Sequence, residues 1–139
     1  MNAWSNAYVG IPYDRNGASR KGVNCWTLVG LVYLEQLGIA LPSYLEDYVS
    51  MAEDMEISGL VGAERGKPVW REVNNAEVFD IALFRRGRTD AHVGIVVTTG
   101  LMLHVTGDEQ SKLESYETPL WVHRLSGFYR HSEAQKGTT

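Results

Sequence analysis

Apolar side chains at Leu28, Val29, Leu31, Val32 and Leu34 follow one another with few polar interruptions. This is the pattern of a helix buried around most of its circumference. Asn24 precedes the run as a helix cap and Gly38 stands where a left-handed C-cap belongs, so the pattern predicts a central helix over 25–37. Upstream, Trp4 to Tyr8 predicts a short helix ending at Gly10, because Pro12 disfavours helix in the residue before it and has no amide to donate. Between these, Asp14 to Asn24 carries Asn16, Gly17, Ser19 and Gly22 and reads as an irregular surface connection. Downstream, acidic residues early in Ser43 to about Met55 predict a second helix. The stretch Ile57 to Asn75, with Gly59, Gly62, Gly66 and Pro68, reads as loop with one short turn.

The period then changes. Val78 to Phe84, Val93 to Thr98 and Leu101 to Val105 are short β-rich runs, separated by Gly87 to Asp90 and by a turn at Thr99 and Gly100. A turn of helix at Pro119 to His123 and a strand at Gly127 to Arg130 complete the pattern, and the tail from Ser132 reads as frayed. Helices first and strands second predict an α+β domain, residues 1–131, with a central N-terminal helix packed on a small antiparallel sheet, followed by a tail over 132–139.

Composition narrows the field. A chain of 139 residues with 44% hydrophobic and 22% charged residues can bury its own core, which excludes disordered and fibrous classes. Thirteen basic against 17 acidic residues give a net charge of -4, with no electrostatic footprint for nucleic acid. No stretch approaches the roughly 20 apolar residues of a membrane span, and the first ten residues lack the basic and apolar segments of a signal peptide. A protein that is cytoplasmic when synthesised is therefore expected. Cys25 is the single cysteine, so no internal disulfide can form and the thiol needs another explanation.

A thiol in the first turn of a helix meets unpaired amides and the positive dipole end, which favour the thiolate. A nucleophilic cysteine also needs a base and a group that orients the base. His92 opens one predicted strand and His104 lies twelve residues on, with the Thr99–Gly100 turn near the middle, so a hairpin can set the two rings side by side. The residues alone leave other readings open. Cys25 can be a small core residue, either histidine can be structural, and one thiolate with two imidazoles is a known three-ligand zinc set, although close paired spacing is absent.

Several blocks together resemble the NlpC/P60 cysteine peptidases, cell-wall endopeptidases of the papain-like clan. Trp4, Tyr8, Gly10, Ile11, Pro12 and Tyr13, then Gly22, Val23, Asn24, Cys25 and Trp26, are similar to the family's aromatic-glycine-proline-tyrosine and glycine-x-acid-cysteine motifs, continued by Leu28 and Val29. Gly38, Ile39, Leu41, Pro42 and Tyr44 resemble the stretch after the nucleophile helix, and Asp80 to Phe84 with His92 to Val96 resemble the strand pair carrying the base. More narrowly, Trp26, Leu41 to Tyr44, Ser111, Tyr116, Trp121 and the ending Gly127, Phe128, Tyr129, Arg130 resemble the bacteriophage tail-assembly branch. The likeness runs from Trp4 to Arg130.

The resemblance implies a papain-like fold with Cys25 as nucleophile, His92 as general base and acid, His104 as the group that fixes its ring, and Tyr13 with the Cys25 amide holding the oxyanion. It implies hydrolysis of an amide in peptidoglycan stem peptides after the D-glutamyl residue through a thioester acyl-enzyme, with no metal or cofactor. Phage tail proteins are the implied partners, and the cell wall reached from a virion tail is the implied place of action. Two alternatives stand beside it: a non-enzymatic tail component that keeps the fold, and an amidase or acyltransferase on another small amide or ester. The chain departs from the family pattern at Asn24, where aspartate is usual, and at Trp26 and Thr27, where small residues are usual. Asn24 still caps the helix, so thiolate stabilisation is expected to survive, and Asn24 and Trp26 are expected to touch substrate. Phe79 stands where a glycine commonly precedes the aspartate, a change expected to affect a turn.

Overall fold

The computed structural model describes residues 3–44, 62, 64, 66–107 and 109–134. A short helix α1, Ala3–Asn6, leads into a two-stranded ribbon of β1, Ala18–Ser19, and β2, Gly22–Val23. The central helix α2, Cys25–Val32, follows, and the chain continues through one wider π-helical turn, Tyr33–Leu37, to Gly38 at φ 70°. Then come β3, Trp70–Val73; β4, Ile81–Arg86; β5, Thr89–Thr98; β6, Leu101–His104; β7, Lys112–Ser115; a helical turn α3, Pro119–Val122; and β8, Leu125–His131. Six strands form one antiparallel sheet in the order β3-β8-β4-β5-β6-β7.

The start of α2 is fixed by a reciprocal cap. The Asn24 side chain accepts from the Trp26 and Thr27 amides at 2.9 Å each, and the Thr27 hydroxyl accepts from the Asn24 amide at 2.8 Å. Two otherwise orphaned donors at the helix start, and the amide of the cap itself, are thereby satisfied. Leu28, Val29 and Val32 bury the helix against one sheet face, formed by Leu83, Val93, Ile95, Val97 and Leu103. The alternate residues Ala82, Phe84, Val96 and Met102 face the other way and are covered by Tyr116 and Trp121. Both sheet faces are thus buried, which explains why strands β4 and β5 read as nearly continuous apolar runs.

Three readings of the sequence need correction. The segment Asp14–Asn24 is not wholly irregular, since β1 and β2 pair with Ala18 opposite Val23; a two-residue strand is too short to show alternation. Within the supposed loop of 57–75, β3 pairs along its whole length with β8, an arrangement set by a partner far downstream. The strand expected from Val78 begins only at Ile81 because Phe79 adopts φ 72°, a conformation that favours glycine and that interrupts the strand. Beyond Tyr44, the helix expected up to Met55 lies outside the described residues. At the other end, the Ser132 amide donates to the Val69 carbonyl at 2.8 Å and Ala134 is buried.

Candidate active site

Cys25 is the first residue of α2 and its side chain is 5% exposed. Helix α2 lies on the face of β5 that carries Val93, whereas His92 and His104 lie on the opposite face with Phe84 and Trp121. On β5, just past the last position paired with β6, Ile95 opposite Leu103, the Val93 amide donates to the Cys25 sulfur. The amides of Cys25 and Trp26 also point at the sulfur. These amides act in the expected direction, favouring the thiolate. Burial outweighs the three amides and pushes the thiol up to about 11, so Cys25 is protonated at neutral pH.

His92 and His104 stand where the hairpin arithmetic placed them. His92 Nε2 lies 2.9 Å from His104 Nδ1, and His104 Nε2 lies 2.8 Å from Glu114 Oε1. A carboxylate only accepts, so His104 Nε2 carries the proton, His104 Nδ1 accepts from His92 Nε2–H, and His92 Nδ1 is left with the lone pair. Burial holds His92 well below the usual imidazole range, with the His104, Arg124 and Arg86 charges adding to the effect. It lowers His104 as well, against the opposing pull of Glu114. Gly94 keeps the two strands close, since a Cβ there would come within 2.7 Å of the Met102 sulfur and 3.4 Å of His104 Cβ. Trp121 stacks on His92 at 5.3 Å between ring centroids and meets His104 edge-on at 5.1 Å, so both rings are wedged in place.

Cys25 and His92 open on one cleft of about 440 Å³, whose walls include Tyr13, Glu114, Trp121 and Arg124. The Tyr13 hydroxyl is buried there and has no hydrogen-bond partner among the described residues, while its backbone is pinned by a bond from its amide to the Glu109 carbonyl at 2.9 Å. Both nitrogens of His104 are committed to His92 and Glu114, leaving that ring no lone pair for the zinc arrangement considered above. Asn24 and Trp26, expected at the substrate, are placed elsewhere. Asn24 is fully buried as the cap, and Trp26 is 3% exposed, with its indole N–H donating to the Pro42 carbonyl at 2.7 Å; neither lines the cleft. The sequence reading missed Glu114, Arg86 and Arg124 altogether and gave Trp121 no role at the histidines. A strand signal exists at Lys112 to Ser115, where Leu113 alternates with polar neighbours, and it would have placed Glu114 beside His104.

The sequence profile of the NlpC/P60 family matches residues 10–130. A murein DD-endopeptidase/murein LD-carboxypeptidase, MepS of Escherichia coli K12, is 30% identical over 117 residues, which are 84% of this chain and 54% of that protein. The chain therefore spans about half the length of this relative. Among solved structures, an NlpC/P60 family protein from Bacillus cereus superposes with TM-score 0.67 at 18% identity over 93% of this chain and 38% of that one. The NlpC/P60 domain of peptidoglycan hydrolase SagA does so with TM-score 0.61 at 20% identity, covering 91% of this chain and 92% of that one. These likenesses carry the papain-like α+β fold.

Proposed function

The chain belongs to the NlpC/P60 family, and from that premise we propose that it is a cysteine hydrolase cleaving an amide bond in peptidoglycan stem peptides, with Cys25 as nucleophile. The observation that carries this reading is the ordered chain from Glu114 through His104 to His92, opening on the same cleft as the Cys25 sulfur. In it the free His92 Nδ1 takes the thiol proton as sulfur attacks the scissile carbonyl. Thiol and imidazole start neutral, so charge separates only once substrate is in place and the developing oxyanion offsets its cost. The unpartnered Tyr13 hydroxyl and the Cys25 amide stabilise that oxyanion. His92 then protonates the leaving amine, and a water deprotonated by His92 releases the acyl group from its thioester.

Peptidoglycan as substrate is supported by the activities of the relatives, murein endopeptidase and carboxypeptidase for MepS and peptidoglycan hydrolase for SagA. Purified muropeptides incubated with the protein should yield new amine termini, identified by mass spectrometry, and Cys25→Ala should yield none while keeping its circular dichroism spectrum. Turnover retained by the alanine variant overturns the assignment. The finer expectations, cleavage after D-glutamyl and delivery by a phage tail, rest on sequence resemblance. The masses of the fragments test the first and copurification with tail proteins tests the second.

A further inference from the structure

Two guanidinium groups share the cleft wall beside His92. Arg86 ends β4, and Arg124 lies in the short connection from α3 to β8; both line the cleft. Arg124 is held in position. Its Nε–H donates to the Arg85 carbonyl at 2.8 Å and its guanidinium lies 4.7 Å from the centroid of the Trp121 ring, which is itself stacked on His92. Trp121 thus contacts both His92 and Arg124 through its ring. Among the described residues no carboxylate pairs with either arginine. The two acidic groups lining the same cleft are engaged, Glu114 with His104 at 2.8 Å and Glu109 with Lys112 at 3.0 Å.

Like charges left together without a counter-ion are unfavourable, and the structure registers this: burial and the Arg86 charge both push Arg124 below its ordinary value. The chain as a whole is acidic at -4, so the pair does not reflect a generally basic surface. An anion between the two guanidinium groups would relieve the repulsion and take charge-assisted hydrogen bonds from both, a geometry that suits a carboxylate. A single ring, that of Trp121, separates Arg124 from His92. His92 hands its proton to the leaving amine, so this wall faces the amine half of the substrate.

We propose that Arg86 and Arg124 form a carboxylate subsite for the residue on the amine side of the scissile bond, so that the product released first carries a free carboxylate. The inference rests on the hydrolase reading above and adds the chemistry of the leaving group. A free α-carboxylate and a side-chain carboxylate are equivalent in charge, and the substrates below separate them.

Three short peptides sharing one acyl half are compared by kcat/KM. The amine-side residue carries a free α-carboxylate in the first, only an α-carboxamide in the second, and an α-carboxamide with a side-chain carboxylate in the third. The wild type should prefer one or both anionic peptides over the neutral one by about 10- to 100-fold, the range expected for hydrogen bonds to a charged group. The doubly substituted Arg86→Gln, Arg124→Gln protein should bring that ratio close to one. Arg124→Lys should keep part of it, because charge is retained while the planar fork is lost. Arg86→Gln alone, at an exposed position, should lower the ratio without disturbing packing. A wild-type ratio near one, or a doubly substituted protein that keeps its preference, overturns the subsite. If no peptide is cleaved, the hydrolase reading fails, and the subsite is judged by calorimetry. There, Cys25→Ala should bind a diamino dicarboxylic acid at least tenfold more tightly than its diamide, a margin that disappears with both arginines replaced. Equal binding of acid and diamide overturns it.

Discussion

His104 is fully buried and yet its Nε2 meets the Glu114 carboxylate at 2.8 Å, a carboxylate whose side chain is 27% exposed. This contact decides which nitrogens carry protons along the whole chain to His92, and with it whether the base presents a lone pair or an N–H to the thiol. Burial opposes a low pKa for the Glu114 carboxyl, and hydrogen bonding to His104 leads the effects that bring it below its ordinary value, so it is ionised at neutral pH.

Replacing Glu114 with glutamine removes the charge and lets the amide offer either a donor or an acceptor to His104. The expected result is a fall in kcat of about 10- to 100-fold, less than the full 10²–10⁴ of general-base catalysis, with KM little changed. Glu114→Asp, which keeps the acceptor, should recover part of the loss. Equal kcat for wild type and Glu114→Gln removes Glu114 from the mechanism.

The resting thiol is protonated, so its alkylation by iodoacetamide should be slow at pH 7 and should rise with pH towards an apparent value of about 11. A preformed thiolate–imidazolium pair would instead react at a plateau rate from mildly acidic pH upward. Stopped-flow alkylation across pH 5–11, roughly the span separating the two behaviours, distinguishes them, and a plateau below neutrality refutes the neutral pair.

Both ionisations also appear in stability. The Cys25 thiol is raised from 9.0 to about 11 by folding, so its contribution is complete below pH 9.0 and is lost as pH rises through 11. His92, His104 and His131 are lowered from 6.5, so their contribution is complete above pH 6.5 and is lost as pH falls. Thermal melts should therefore show greatest stability between pH 6.5 and 9.0 as far as these groups govern it, with Cys25→Ala flattening the alkaline limb and His92→Gln the acid one. An alkaline limb unchanged in Cys25→Ala counts against the buried thiol.

How far the sequence revealed this arrangement differs from residue to residue. The cap at Asn24 and the stop at Gly38 are local signals, and the structure has both in place. The juxtaposition of His92 and His104 was legible because hairpin register is simple arithmetic around a turn. Glu114 and β3 were not legible, since each is defined by a partner distant in the chain: Glu114 reaches His104 across β6 and β7, and β3 exists through its pairing with β8. Trp26 was misplaced for a different reason. Adjacency to the thiol in sequence suggested the cleft, but one residue along a helix turns a side chain by about 100°, and that turn carries Trp26 into the core beside Tyr44.

Asp80 and Arg130 form a two-pronged ion pair, with Arg130 Nε and Nη2 at 2.8 and 2.7 Å from the two carboxylate oxygens, and both residues are buried. Removing one partner strands a buried charge, so Asp80→Leu or Arg130→Met alone should cost about 3–5 kcal/mol by urea denaturation. The two changes combined should recover much of that, because no lone charge is left behind. Additive losses in the combined variant contradict the pairing argument.

Tyr13 offers the sharpest separation of chemistry from folding. Its hydroxyl lies buried against the cleft with no partner among the described residues, so folding desolvates a donor without return, and Tyr13→Phe should leave stability unchanged or raise it slightly in a thermal melt. The same substitution withdraws one donor from the oxyanion. The fall in kcat should reach about 10- to 1,000-fold, the upper end being that of a fully preorganised oxyanion-hole donor, with little change in KM because the bond forms in the transition state. A variant that loses stability and keeps its kcat would make Tyr13 a packing residue under the site, and the oxyanion would then depend on the Cys25 amide and whatever second donor the cleft supplies.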